Sequence, residues 1–283
     1  MKRLRSDGMA WVVLAALLCA GAVVVTAVSL AGGTVPLASP FARALDWQPA
    51  LGLRETWRLW TAAWVHWSLA HLAVNAAGAG VVAFVGWRAR LSAAAALAWL
   101  IAWPLTQAFL ATVGAERLAV LMPHYGGLSG VLHAGAIVLG LSLAWPPEGA
   151  QAHGRARPRA TPAPADPGFA STQASAIEPS RITEGPWAMT DMGTSTALPA
   201  STLDQPAKEA AASACDDDAL RARWIGAAIV VGTVAKVALE APWQLAPHVS
   251  DALGVAVAPV AHACGIAAGV LAWAGVRGAG RPR

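Results

Sequence analysis

The side chains with the most chemistry to offer are a serine and a histidine, each set in apolar surroundings. Ser129 lies in Gly126-Gly127-Leu128-Ser129-Gly130-Val131-Leu132-His133, flanked by glycines at the opening of an apolar helix. A serine hydroxyl is a weak nucleophile until a base takes its proton. His262 is the candidate base, since a neutral imidazole can accept that proton and return it to a leaving amine. No acidic residue falls within the apolar spans at the same depth, which predicts a Ser-His dyad with no third member. The third member of a triad mainly orients and stabilises the imidazole, so a dyad is chemically sufficient.

Further polar residues group around this pair. His71 and Asn75 stand at i, i+4 and share a helix face. Both can donate hydrogen bonds, and attack on an amide produces an oxyanion that needs fixed donors. His71, Asn75 and the Ser129 backbone N–H are the candidate set, with His66 nearby. His133 follows Ser129 by one turn on the same face, where it could pack near His262, relay a proton or make a simple buried hydrogen bond. Lys236 and Glu240, also i, i+4, read as an ion pair or as a substrate contact.

Each of these residues has a plainer reading. A lone serine in a membrane helix commonly bonds a carbonyl one turn back, and a lone histidine commonly packs helices together. The motif is not a soluble-hydrolase nucleophile elbow, because Val131 stands where that signature needs glycine. His124 and His248 read as ordinary loop histidines. Cys19, Cys215 and Cys264 have neither disulfide nor metal-ligand spacing. No metal or cofactor is expected.

The elements that position these groups are apolar helices. Of 283 residues, 56% are hydrophobic and only 13% charged, against about a quarter charged in soluble domains. Six stretches are read as crossing ~30 Å of hydrocarbon. They run Met9–Ala31, Leu59–Gly86, Ser92–Val113 (with Pro104), Gly127 to Trp145-Pro146-Pro147, Trp224–Leu239 and Val257–Val276. The first could also be a cleaved signal peptide, although its apolar core is longer than one needs. Trp57, Trp60, Trp64 and Trp67 crowd the start of the second, as in an interfacial aromatic belt. Phe41, Leu45 and Trp47 suggest that the loop before it lies partly in the interface. Gln244–Ala256 reads as a loop.

The expected fold class is all-α: a polytopic membrane protein with a six-transmembrane-helix bundle and a long disordered loop between helices 4 and 5. Residues 1–147 carry the first four spans, 148–222 a Pro-, Ala- and Ser-rich disordered tether, and 223–283 the last two spans of the same core. The net charge is +4, and its distribution speaks against a nucleic-acid partner. Arg88, Arg90, Arg221, Arg223 and Arg277 would all fall inside if both termini are cytoplasmic. His66, His71, Asn75, Ser129 and His262 then converge near the outer face. Gly265 and Gly269 follow His262 at i+3 and i+7, a small-xxx-small face that could bring the sixth span against the fourth.

These pieces resemble the rhomboid family of intramembrane serine proteases. They are Trp57-Arg58, then His66, His71 and Asn75, then Gly127-Leu128-Ser129-Gly130, and finally Ala261-His262-Ala263-Cys264-Gly265 with Gly269. Many rhomboids carry tyrosine four residues after the serine. His133 stands there in this chain, and Gly127 to His133 is similar to the rhombosortase subgroup. The resemblance implies Ser129 as nucleophile, His262 as base, and His71 and Asn75 at the oxyanion, with Gly127, Gly130, His133, His66 and Gly265 supporting them. It implies cleavage of membrane-anchored proteins bearing C-terminal sorting helices, in a bacterial inner membrane. The rivals are a catalytically inactive rhomboid-like protein that binds membrane helices, and a transporter. A transporter would carry polar groups through the full membrane depth, whereas these cluster in the outer half.

Overall fold

A computed structural model describes residues 8–32, 39–113, 115–146 and 205–280. The chain divides into a unit of 1–148 with 219–283 and a unit of 149–218; everything described below lies in the first except residues 205–218, the start of one long helix. Its long helices are α1 (Met9–Ala31), α4 (Leu69–Arg88), α5 (Ala93–Thr112), α7 (Ser129–Ala144), α8 (Gln205–Leu239) and α9 (Pro259–Ala279). Short helices α2 (Pro40–Leu45), α3 (Arg58–Thr61) and α6 (Ala115–Leu121) lie in the connections. Among the described residues, five helices are long and apolar enough to cross a membrane, and α7 is a shorter apolar one of 16 residues. The architecture is that of an all-α, multi-pass membrane protein.

Three features differ from the sequence expectation. The second long helix opens at Leu69, not Leu59. The Ser68 hydroxyl accepts the His71 N–H at 3.1 Å and caps the helix there. His66 therefore sits in the loop before α4, outside the span in which it was expected. The loop expected over Gln244–Ala256 contains a small antiparallel hairpin, β1 (His248–Ser250) with β2 (Val255–Val257). Gly254, at φ 63°, completes its turn. Finally, α8 opens at Gln205, so the part of 148–222 from 205 onward is helical. Residues 148–204, the rest of the expected tether, lie outside the described residues. Trp47, expected near the interface, is buried.

α7 is the central helix. Its buried residues, from Gly130 round to Ala144, cover every face, as expected of a helix with no solvent or lipid side. Hydrophobicity cannot hold helices together in lipid, so association falls to close packing and interhelical hydrogen bonds. Both are visible here. Cβ atoms built at Gly130 and Gly269 would lie 2.9 Å from the Ala261 carbonyl oxygen and 2.7 Å from the Ala134 carbonyl oxygen. One at Gly265 would run into the Gly130 carbonyl. On the far side, Gly140 of α7 meets Gly226 of α8 in the same way. The indoles of Trp11, Trp99 and Trp103 each donate to a carbonyl of another element (Val82, Val131 and Trp60), all at 2.9 Å.

The loops before α4 and α7 are tied by a buried ion cluster. Asp46, fully enclosed, accepts from Arg58 at 3.0 Å and from His124 Nδ1 at 2.6 Å. Burial pushes its carboxyl pKa up, against the hydrogen bonds from Gln48 and His124 and the charges of His124 and Arg58. His124 is thus a structural partner and not an ordinary loop residue. Trp47 and Tyr125 exchange backbone hydrogen bonds at 2.8 Å beside it.

Backbone-to-backbone contact at Gly265 makes a sharp prediction. Gly265→Val must separate α9 from α7, an overpacking cost of about 1–3 kcal/mol or more. Its thermal unfolding midpoint in detergent is expected to fall by several degrees. Gly275→Ala, which meets nothing within 4 Å, is expected to match the parent protein.

Candidate active site

Ser129 is the first residue of α7. The first turn of a helix has no intrahelical acceptors for its N–H groups, so the Ser129 N–H is free for other work. Gly127, at φ 141°, turns the chain into the helix in a conformation that a side chain would strain. Its N–H donates to the Ala62 carbonyl at 3.0 Å and pins the turn. The Ser129 residue is half-buried.

His262 comes from α9, one turn after Pro259. Its ring is buried, and its Nε2 stands 3.1 Å from Ser129 Oγ. The glycine contacts of α7 and α9 set this distance, since Gly130 follows Ser129 directly and Ala261 precedes His262. The two side chains are 133 residues apart in sequence.

The other ring nitrogen also has a partner. His262 Nδ1 is 2.7 Å from Glu240 Oε2. The expectation of a bare dyad is therefore corrected: a carboxylate does reach the imidazole, from just past the end of α8. Its signal in the sequence was the i, i+4 spacing with Lys236, and that ion pair forms at 2.8 Å. What the spacing could not tell is that the second carboxylate oxygen turns to a histidine on another helix. Burial alone would raise the Glu240 carboxyl. Hydrogen bonds from His262 and Lys236, with their charges, outweigh it and lower the pKa to about 2. Glu240 is ionised at neutral pH.

His133 stacks on His262, with ring centroids 4.2 Å apart and planes 19° apart. Its Nδ1 donates to the Ser129 carbonyl at 2.7 Å, and Lys236 Nζ donates to its Nε2 at 3.0 Å. Of the alternatives open for His133, the structure shows both the packing against His262 and a hydrogen bond, the latter to the Ser129 carbonyl. Tyr125, buried, sits with its hydroxyl 3.4 Å from where a Gly130 Cβ would be.

His71 and Asn75 lie on α4 as expected, but their partners differ. Asn75 Nδ2 donates to His66 Nε2 at 3.0 Å. The His66 ring lies tilted against His71, with centroids 4.8 Å and planes 54° apart, and its Nδ1 donates to the Trp64 carbonyl at 3.3 Å. A Cβ at Gly127 would lie 2.8 Å from the His71 ring. His71 therefore borders the turn that carries Ser129, while Asn75 spends one donor on His66. His248 stands in β1.

No family model matches the chain, and neither the curated proteins nor the solved structures give a match. Among the described residues no group of three or more His, Cys, Asp or Glu side chains is placed to hold a metal ion.

His66 gives a pH prediction. It lies outside the spans and is buried; burial first, and then the charge of His71, lower its pKa to about 4. Between about pH 6.5 and 4 the unfolded chain binds a proton there and the folded protein does not. Stability is then full above 6.5 and falls as pH drops through that window, by about 2 kcal/mol at pH 5. The unfolding midpoint in detergent is expected to drop between pH 7.5 and 5. His66→Gln, which keeps an acceptor for Asn75, is expected to shrink that drop.

Proposed function

We propose that this protein is an intramembrane serine endopeptidase of the rhombosortase kind. The observation that carries the reading is the 3.1 Å approach of His262 Nε2 to Ser129 Oγ, made by residues from two different helices. A serine and a histidine used only for packing have no need to face each other at hydrogen-bond distance. The bonds of the other ring atoms favour the reactive tautomer. With its proton on Nδ1 toward Glu240, His262 keeps the Nε2 lone pair toward the serine hydroxyl.

The chemistry follows from those placements. Ser129 Oγ attacks the scissile carbonyl carbon as its proton passes to His262 Nε2. The Oγ–C bond forms, and the carbonyl electron pair moves to oxygen. The Ser129 N–H at the start of α7, with His71 beside Gly127, supplies donors on that side. The C–N bond then breaks, and His262 gives the proton to the leaving amine. Water hydrolyses the acyl-enzyme by the same steps in reverse order. No metal or cofactor has a step in this sequence.

In this reading the six long helices form one rhomboid-like bundle, with both termini cytoplasmic and the site near the outer face of a bacterial inner membrane. Substrates are membrane-anchored proteins with C-terminal sorting helices.

Ser129→Ala and His262→Ala are each expected to abolish processing, a loss of at least about a thousandfold, while the protein still inserts. Comparative mass spectrometry of surface-protein C-termini, in cells with the parent protein and with each variant, reads this out. Undiminished processing by either variant removes the assignment and leaves the helix-binding alternative.

A further inference from the structure

We infer that Glu240 is a positioning residue for His262, and that Lys236 decides which face the side chain at 240 presents to the imidazole. The inference rests on the serine-hydrolase reading above.

The contacts around Ser129 close into a ring. The Ser129 carbonyl accepts from His133 Nδ1 at 2.7 Å, and His133 Nε2 accepts from Lys236 Nζ at 3.0 Å. Lys236 also donates to Glu240 Oε1 at 2.8 Å. Glu240 Oε2 accepts from His262 Nδ1 at 2.7 Å, and His262 Nε2 returns to Ser129 Oγ at 3.1 Å. The ring draws on three helices: α7, α9 and the C-terminal end of α8.

Donor and acceptor counting gives each member a role. A lysine ammonium has three donors and no acceptor, so whatever faces Lys236 must accept. An ionised carboxylate has only acceptors, and it can face Lys236 with one oxygen and His262 with the other. The imidazole must then hold its proton on Nδ1. That leaves Nε2 as the acceptor that Ser129 needs. Lys236 and His133 brace this arrangement: the ammonium fixes one carboxylate oxygen, and the His133 ring covers a face of His262.

A glutamine at 240 breaks the pattern in a predictable direction. It has one oxygen and one NH2 in place of two oxygens. Lys236 can be satisfied only by the oxygen, so the NH2 turns to His262. Nδ1 must then accept, the proton sits on Nε2, and His262 can no longer take the proton of Ser129. Replacing Lys236 by methionine as well removes the constraint. The amide can then turn its oxygen to His262 and restore the working tautomer.

The test uses the full-length protein in detergent and a fluorophosphonate probe. On reaction Ser129 Oγ forms a bond to phosphorus, the P–F bond breaks, fluoride leaves, and the hydroxyl proton goes to His262 Nε2. The probe therefore needs no knowledge of the natural substrate. Glu240→Gln is expected to label at least about a hundredfold more slowly than the parent, in line with a wrong-tautomer triad. Lys236→Met alone is expected to stay within about tenfold of the parent, because the carboxylate keeps an acceptor toward His262. The double variant Glu240→Gln/Lys236→Met is expected to label at least about tenfold faster than Glu240→Gln alone. Loss of packing or of folding predicts the opposite order, since the double variant removes two native groups. A double variant no faster than Glu240→Gln, or a Glu240→Gln within threefold of the parent, overturns the inference. If the parent itself fails to label at Ser129, the hydrolase reading falls instead, so the two failures are distinguishable.

Discussion

The structure depends on the contact between the backbones of α7 and α9. Gly130, Gly265 and Gly269 let carbonyl groups of one helix touch the other with no side chain between them. In lipid, apolar side chains gain little by leaving one another's company, so a helix pair is held by how closely it can pack. This pair packs at the limit that glycine allows. Because Ser129 and His262 each adjoin a contact residue, the same packing sets the distance between hydroxyl and imidazole. Structural and chemical demands fall on the same few positions.

Around that seam the protein adds polar ties at the loops. The Asp46–Arg58–His124 cluster and the Trp47–Tyr125 backbone pair fix the approach to α7. A buried carboxylate is costly unless it is paired and hydrogen-bonded, and Asp46 is both. Gly127 then makes the turn that leaves Ser129 as the first helical residue. The serine inherits an unpartnered N–H at its own backbone, next to a half-buried hydroxyl. Much of the local geometry around Ser129 thus follows from where one helix starts.

The parts legible in the sequence were those written as local periodicity. Apolar runs marked the long helices, and the i+3 and i+7 glycines after His262 marked its packing face. These two signals made an approach of Ser129 to His262 possible, while for His133 they left ring packing, a proton relay and a simple hydrogen bond equally open. What escaped was whatever depends on a side chain crossing between elements. Glu240 looked committed to Lys236 because a helix brings i and i+4 together, yet a carboxylate has a second oxygen, and its partner lay on another helix. His124 looked idle because Asp46 is far away in sequence. His66 was drawn into the second helix because the apolar run continues through it, but Ser68 caps the chain and starts the helix later. At this helix the Ser68 cap sets the start.

The central claim is that the Ser129 hydroxyl and the His262 imidazole share a proton across the α7–α9 seam. An experimental structure of the protein in a lipid phase, after reaction with a phosphonate, tests this directly. The account predicts continuous density from Ser129 Oγ to phosphorus, with the His262 ring within hydrogen-bond reach and Glu240 against its Nδ1. Density attached elsewhere, or a His262 ring turned toward lipid, would contradict it.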